Sequence, residues 1–144
     1  DMRWLVTSSA GYGFFVRLGE LHSRNRAGKS ALRLRPGWDV VVPAPAPAGE
    51  FPGQLRVAAV SSGGHLLVFP AADLPELPRG KGNRVLGIPP AKLKTGEEQL
   101  VAVAVLAAGD DLLVRSANRT MTLKSTDLPH YAGQRGNREP GRHL

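Results

Sequence analysis

Short apolar runs separated by small, polar turns recur along the whole chain. Apolar residues two apart, such as Phe14 and Val16, have the period of a β-strand with one buried face. An apolar run enters and another leaves each of three turns that read SAG, SGG and SAN. The pattern predicts three β-hairpins. Their strands include residues 5–7 with 14–16, 58–60 with 67–69, and 112–114 with 121–123.

The hairpins belong to a repeat of about fifty residues. Three leucines, each preceded by an acidic residue, recur at intervals of 53 and 54 residues: Leu21, Leu74 and Leu128. Ten residues before each leucine stands a residue type that tolerates a positive φ. These residues are Gly11, Gly64 and Asn118. Three turns in one register indicate that the chain repeats a single structural unit.

Each complete repeat is predicted to hold four short strands. A second pair of strand-like runs follows the first two hairpins, at residues 30–34 with 40–42 and 85–88 with 100–106. Four strands per fifty residues are typical of propeller blades. We therefore predict an all-β, β-pinwheel or propeller-like fold with about three four-stranded blade units in a partial ring.

One domain, residues 1–144, is expected to contain all three units. The repeats fall at approximately 1–52, 53–106 and 107–144, and the last is incomplete. The proline-rich run at 43–53 is predicted to be a stiff, extended loop. Because the chain begins within a strand-like run and its third unit is incomplete, we expect either a piece of a longer protein or a shortened, stand-alone relative of one.

Charge narrows the choice of partners. The net charge of +7 favours a polyanion, with nucleic acid ahead of an anionic membrane surface. The longest aliphatic run, residues 100–108, is too short to cross a bilayer, and the first residues do not have the pattern of a signal peptide. The absence of cysteine excludes disulfides and thiolate metal sites and fits a reducing, cytoplasmic setting.

No group of residues has the spacing of an active site. The run from Arg26 to Ser30 ends like a P-loop, but Ser23 occupies the place of its first glycine. The four histidines lack ligand spacing, and Asp110 with Asp111 is expected to form a polar turn. We therefore expect no catalytic residue, no metal site and no small-molecule substrate in this chain.

The basic residues, in contrast, are patterned. One glycine-containing basic loop follows each repeated leucine, and residues 82–84 and 136–138 both read GNR. Glycines admit close approach to phosphate oxygens, while Arg and Lys supply charge. The predicted DNA-binding residues are Arg24, Arg26, Lys29, Arg79, Lys81, Arg84, Arg135, Arg138 and Arg142. The glycines predicted to approach the DNA backbone are Gly28, Gly80, Gly82 and Gly136.

These motifs resemble a known family. SSAGYGF with LHSRNRAGK, then LLVFPAADLPELPRGKGNRVLGIP and LPHYAGQRGNR, are similar to the C-terminal β-pinwheel domains of bacterial type IIA topoisomerase A subunits. The Gln-Arg-Arg-Gly-Gly-Lys-Gly box of gyrase is absent; PRGKGNR and GQRGNR are degenerate counterparts. The resemblance is therefore nearer to the topoisomerase IV branch than to gyrase.

The resemblance implies blades that exchange strands and a basic rim that bends duplex DNA and presents the transported segment. The partners that it implies are double-stranded DNA, the catalytic core and the ATPase B subunit. Mg²⁺ and ATP would serve only the whole enzyme, whose catalytic tyrosine lies in another domain, so no cofactor is expected in this chain. Family pinwheels have five or six blades, more than the three predicted here.

Two other functions remain open from the residues alone. The basic rim of a propeller-type interaction module would bind an acidic partner protein. A small RNA-binding β domain would also carry positive charge. No aromatic residue lies in the basic loops, which favours duplex over single-strand recognition.

Overall fold

A computed structural model describes residues 3–17, 32–46, 53–77, 80–107, 110–115, 120–124, 132 and 142–143. Within these ranges the chain is almost entirely β. Ten strands are described: β1 Arg3–Ser8, β2 Tyr12–Arg17, β3 Val40–Ala46, β4 Arg56–Ser61, β5 His65–Pro70, β6 Asn83–Arg84, β7 Leu100–Leu106, β8 Leu112–Arg115, β9 Thr120–Leu123 and β10 Arg142–His143. A 3₁₀ turn at Ala71–Asp73 follows β5, and one helix, α1, spans Pro90–Thr95.

The strands form two four-stranded sheets and one further hairpin. The order is β3-β1-β2-β6 in the first sheet and β10-β5-β4-β7 in the second, while β8 pairs with β9. All pairings between these strands are antiparallel. The three predicted hairpins are confirmed, as are the positive φ angles of Gly11 (91°) and Gly64 (86°) in the first two turns.

Each four-stranded sheet borrows its last strand from the following repeat. Strand β6 lies beyond the second hairpin, yet it pairs with β2 of the first, Arg84 opposite Tyr12. Strand β10 pairs with β5 in the same way. The two borrowed strands are 59 residues apart, whereas the GNR motifs are 54 apart. The sequence repeat therefore does not carry over unchanged to the strand pairing.

The two sheets share one hydrophobic core. Alternate residues of their central strands, such as Phe15, Leu67 and Phe69, face this core, and Leu74 closes it. The opposite face of each sheet is also buried, in one case against Leu32 and in the other against Leu112 of the third hairpin. The expectation of one buried face per strand is wrong for these central strands, because each sheet is covered on both sides.

Three local predictions differ from the structure. Residues 85–88 are buried coil rather than a strand, because their chain leaves β6 to fill the shared core. In the predicted strand 30–34, the described residues contain only an isolated bridge, Leu32 with Gly80. Residues 43–46 extend β3, since an edge strand tolerates prolines that cannot donate a ladder hydrogen bond.

The edges of the two sheets meet at β3 and β7. Between them lies an apolar groove of about 650 Å³, lined by residues 42–45 and 101–105. Val42 and Val101 are exposed at its sides. Within the described ranges, no helix is long and apolar enough to cross a membrane.

Candidate nucleic-acid interface

The second basic loop is held against the first sheet at both of its ends. The Arg33 amide donates a hydrogen bond to the Gly80 carbonyl at 2.7 Å. Asn83 and Arg84 form β6, and the Val85 amide donates to the Gly11 carbonyl at 2.6 Å. Residues 80–84 therefore take a fixed position on the first repeat although they belong to the second.

The two glycines of this loop differ in their surroundings. Gly82 has φ +83°, and a Cβ there would overlap the Gly13 carbonyl and lie 2.9 Å from Cδ1 of Phe14. Its close approach is thus to the neighbouring strand. Gly80 has φ +138°, and apart from its chain neighbours no atom of the described residues lies within 4 Å of the position of a Cβ. Approach to a DNA backbone by either glycine stays a prediction, and only Gly80 has open space in front of it.

Two aromatic rings support the loop cations. Tyr12 and Trp38 stack with their ring centroids 5.5 Å apart and their planes 11° from parallel. The Lys81 ammonium lies 4.8 Å, and the Arg84 guanidinium 5.8 Å, from the centroid of the Tyr12 ring. Arg35 lies 5.7 Å from the Trp38 centroid. Sequence reasoning missed this cluster because Tyr12 and Trp38 come from a hairpin and a turn outside the basic loops.

The cations of the cluster act on the phenol of Tyr12. The Arg84 guanidinium donates a hydrogen bond to the phenol oxygen at 3.4 Å. This contact, aided by the charges of Arg84, Lys81 and Arg35, lowers the pKa of Tyr12 below its usual value and outweighs the opposing effect of burial. The lowered pKa indicates a positive potential around the ring.

Other arginines of the first sheet are engaged with a carboxylate. Arg3 and Arg17 both form ion pairs with Glu76, which lies beside β2 because Phe15 and Glu76 form a β-bridge. The hydrogen bond and charge of Arg3, with a contribution from Arg17, hold the pKa of Glu76 below its usual value against a smaller effect of burial. These two arginines therefore serve to tie the second repeat to the first.

Most of the predicted DNA-binding residues cannot be compared with the structure. The backbone of Arg142 lies in β10, opposite Leu66. The remaining predicted positions lie outside the described residues: Arg24, Arg26, Gly28, Lys29, Arg79, Arg135, Gly136 and Arg138. Their roles stay predictions. Of the predicted set, the structure brings together Gly80, Lys81, Gly82 and Arg84.

One buried carboxylate lies apart from this cluster. Glu98, only 2% exposed, accepts a hydrogen bond from the Ser61 hydroxyl at 2.5 Å beneath the turn of the second hairpin. A Cβ on Gly63 would come within 2.8 Å of the same carboxylate oxygen. The described side chains contain no group of three potential metal ligands. Glu98 therefore supports the hairpin turn.

Known proteins resemble this chain in sequence and fold. The family described as "DNA gyrase C-terminal domain, beta-propeller" matches residues 3–44 and 56–107. The A subunit of DNA topoisomerase 4 from Pseudomonas aeruginosa is 44% identical, and that from Escherichia coli K12 is 34% identical. Each alignment covers 96% of this chain, and the chain spans 18% of each relative.

A solved structure agrees with the sequence comparisons. The C-terminal domain of ParC from Escherichia coli has a TM-score of 0.78 and 34% sequence identity with this chain. The match covers the whole of this chain and 56% of that domain.

Proposed function

Because the chain belongs to the family of DNA gyrase C-terminal β-propeller domains, we propose that it is a non-catalytic module that binds and bends duplex DNA. The observation that carries this proposal is the loop at 80–84. Lys81 and Arg84 are presented on a backbone fixed at both ends, next to a glycine with open space before it. Such a surface suits phosphate oxygens, which need charge and close approach together.

Bending follows from repetition of such loops around a curved rim. A rigid duplex that contacts several of them in succession must curve, at a cost of about 1–6 kcal/mol for 40–90° over 20–30 base pairs. Phosphate contacts offset this cost, and the counterions that they release make binding depend steeply on salt. The absence of a gyrase-type basic box from the sequence favours bending over complete wrapping.

The module would act within a type II topoisomerase. We propose that it presents the transported duplex to the catalytic core and influences which DNA topologies are processed in the bacterial cytoplasm. Cleavage, Mg²⁺ and ATP hydrolysis would belong to the core and to the partner subunit. The chain itself would need no cofactor.

Titration of labelled duplex DNA across a range of salt concentrations tests the proposal. We expect weak sequence preference and a slope of log affinity against log salt of about −5 or steeper. Single-stranded DNA should bind less tightly. Absence of duplex binding at about 50 mM salt, where phosphate contacts are strong, would refute the proposal and favour an acidic protein partner.

A charge-matched pair of variants localises the binding. Replacing both Lys81 and Arg84 by alanine should weaken binding to all duplex sequences alike and reduce the salt slope by about 1.8, since each phosphate contact contributes about 0.9. Lys92→Ala with Lys94→Ala removes the same charge from α1. An equal loss of duplex affinity in the two double variants would mean that binding depends only on net charge and that the loop is not a specific DNA contact.

A further inference from the structure

We propose that Tyr12, Trp38 and Arg35 extend the duplex contact surface of the 80–84 loop, with the stacked rings acting as a rigid support for phosphate-binding cations. This inference rests on the proposed function and adds a second, aromatic part to the surface. It also assigns the surface to two repeats at once. Both rings and Arg35 come from the first repeat, whereas Lys81 and Arg84 come from the second.

Three cations lie over the two stacked rings, and the group is called the platform below: Tyr12, Trp38, Arg35, Lys81 and Arg84. Each lies within 6 Å of the centroid of Tyr12 or Trp38, the range in which a cation is attracted to a ring face. Arg35 and Arg84 are exposed, and Lys81 is half-buried. The segments 33–39 and 80–84 together carry four basic residues against one acidic residue, Asp39. The platform therefore has a positive surface that solvent reaches.

The rings improve such a surface by ordering it before DNA arrives. A long cationic side chain loses conformational freedom when it binds a phosphate, and a side chain already held over a ring loses less. The β2–β6 pairing fixes Tyr12 opposite Arg84 in the backbone as well. Affinity should therefore depend on the aromatic residues even though they carry no charge.

The same geometry favours contact with the backbone over contact with bases. Tyr12 and Trp38 stack on each other, and cations lie over both rings. A nucleotide base would have to displace one of these partners before it could stack. We therefore assign the platform to the sugar–phosphate surface of a duplex.

Trp38 offers a direct optical test. The chain has two tryptophans, and the indole nitrogen of Trp4 is buried with no hydrogen-bond partner among the described residues. Trp4→Phe should leave the fold intact and Trp38 as the only tryptophan. In this variant, we expect duplex DNA to change the fluorescence of Trp38 along the same binding curve that the anisotropy of the labelled duplex gives.

Two substitutions in the Trp4→Phe variant distinguish the contribution of a charge from the contribution of a supporting ring. Arg35→Ala should weaken duplex binding about two- to fivefold, typical of one exposed cation contact, and reduce the salt slope by about 0.9. Trp38→Leu should weaken binding to a similar extent with the slope unchanged, because every charge remains. Lys94→Ala is the control for loss of a single exposed charge, and circular dichroism confirms that each variant is folded.

The outcomes distinguish this inference from the proposed function. If the parent chain binds duplex but the Trp38 signal stays constant at saturation, or Arg35→Ala binds as the parent does, the platform is not part of the surface and the function stands. If Trp38→Leu weakens single-strand binding more than duplex binding, the rings stack on bases and the backbone assignment is wrong. If the parent does not bind duplex at all, both proposals fail.

Discussion

A methyl group added at Gly82 is predicted to push the loop of the second repeat away from β2 of the first repeat. The substitution Gly82→Ala places a Cβ at φ +83° and drives it into the Gly13 carbonyl of β2. Backbone strain of an L-residue in this region costs about 1–2 kcal/mol. The overlap adds a second cost, because the two nearest atoms belong to the Gly13 carbonyl, which is backbone and cannot rotate away as a side chain could. The loop must therefore move off β2.

The size of the second cost follows from the hydrogen bonds at risk. Displacement of the loop weakens the β2–β6 pairing and the bond from the Val85 amide to the Gly11 carbonyl. Each such bond contributes about 1 kcal/mol. The loss of about two bonds, added to the backbone strain of about 1–2 kcal/mol, should lower the free energy of unfolding of Gly82→Ala by about 3–4 kcal/mol. Urea denaturation followed by circular dichroism measures this change.

Gly37 provides the matched control. Its φ is +87°, close to that of Gly82, but in the part of the chain that the structure describes no atom other than its chain neighbours lies within 4 Å of the position of its Cβ. Gly37→Ala should therefore cost only the strain, about 1–2 kcal/mol. If Gly82→Ala destabilises the protein no more than Gly37→Ala does, the loop packs less tightly against β2 than the structure indicates, and the account of its role is wrong.

Two further predictions concern single side chains. In a Tyr131→Phe variant, where Tyr12 is the only tyrosine, ultraviolet difference titration should show the phenol ionising below its usual pKa, and Arg84→Ala should raise that pKa. Because the pKa of Tyr12 is lower in the folded state than in the unfolded state, its ionisation should add stability as pH rises through the folded pKa toward 10. A titration without a shift would contradict this prediction. Glu98→Ala should destabilise the fold by about 1–3 kcal/mol, since the buried Ser61 hydroxyl loses the carboxylate to which it donates a hydrogen bond, whereas Glu98→Gln should cost less. Equal urea midpoints for both variants would argue against a role for that hydrogen bond.

The hairpins could be predicted because their signals are local. Small turn residues, one able to adopt a positive φ, stand between apolar runs, and this combination needs no knowledge of the rest of the chain. The helix α1 also had local signals: proline at its first position and Gly96 in the left-handed conformation at its end. The proline and the glycine are local sequence signals, although the prediction of four-stranded units contained no helix.

The borrowed strands could not be predicted from local pattern. Asn83 and Arg84 are polar and exposed, and they form a strand only because β2 offers them its free edge. The apolar run that follows looks more like a strand, yet it is coil that fills the shared core. Burial alone produces such runs, so their hydrophobicity does not determine backbone pairing.

The sequence predicted the basic residues of the candidate site but not its aromatic residues. Loop composition was enough to select Lys81 and Arg84. Tyr12 and Trp38 are distant from them in sequence. Tyr12 reaches the loop through the pairing of β2 with β6, and Trp38 joins the cluster by stacking on Tyr12. A search confined to each loop therefore could not find a surface that two repeats build together.

Strand exchange also sets a waiting time during synthesis. The first sheet cannot close when its own repeat has left the ribosome, because β2 ends at Arg17 and its partner ends at Arg84, 67 residues later. At roughly 5–20 residues per second, the edge of β2 stays open for about 3–13 s. The second sheet waits in the same way for β10. Because β5 ends at Pro70, before β6 is made, the two intervals overlap, and throughout them a chaperone or a neighbouring nascent chain has access to at least one unpaired strand edge.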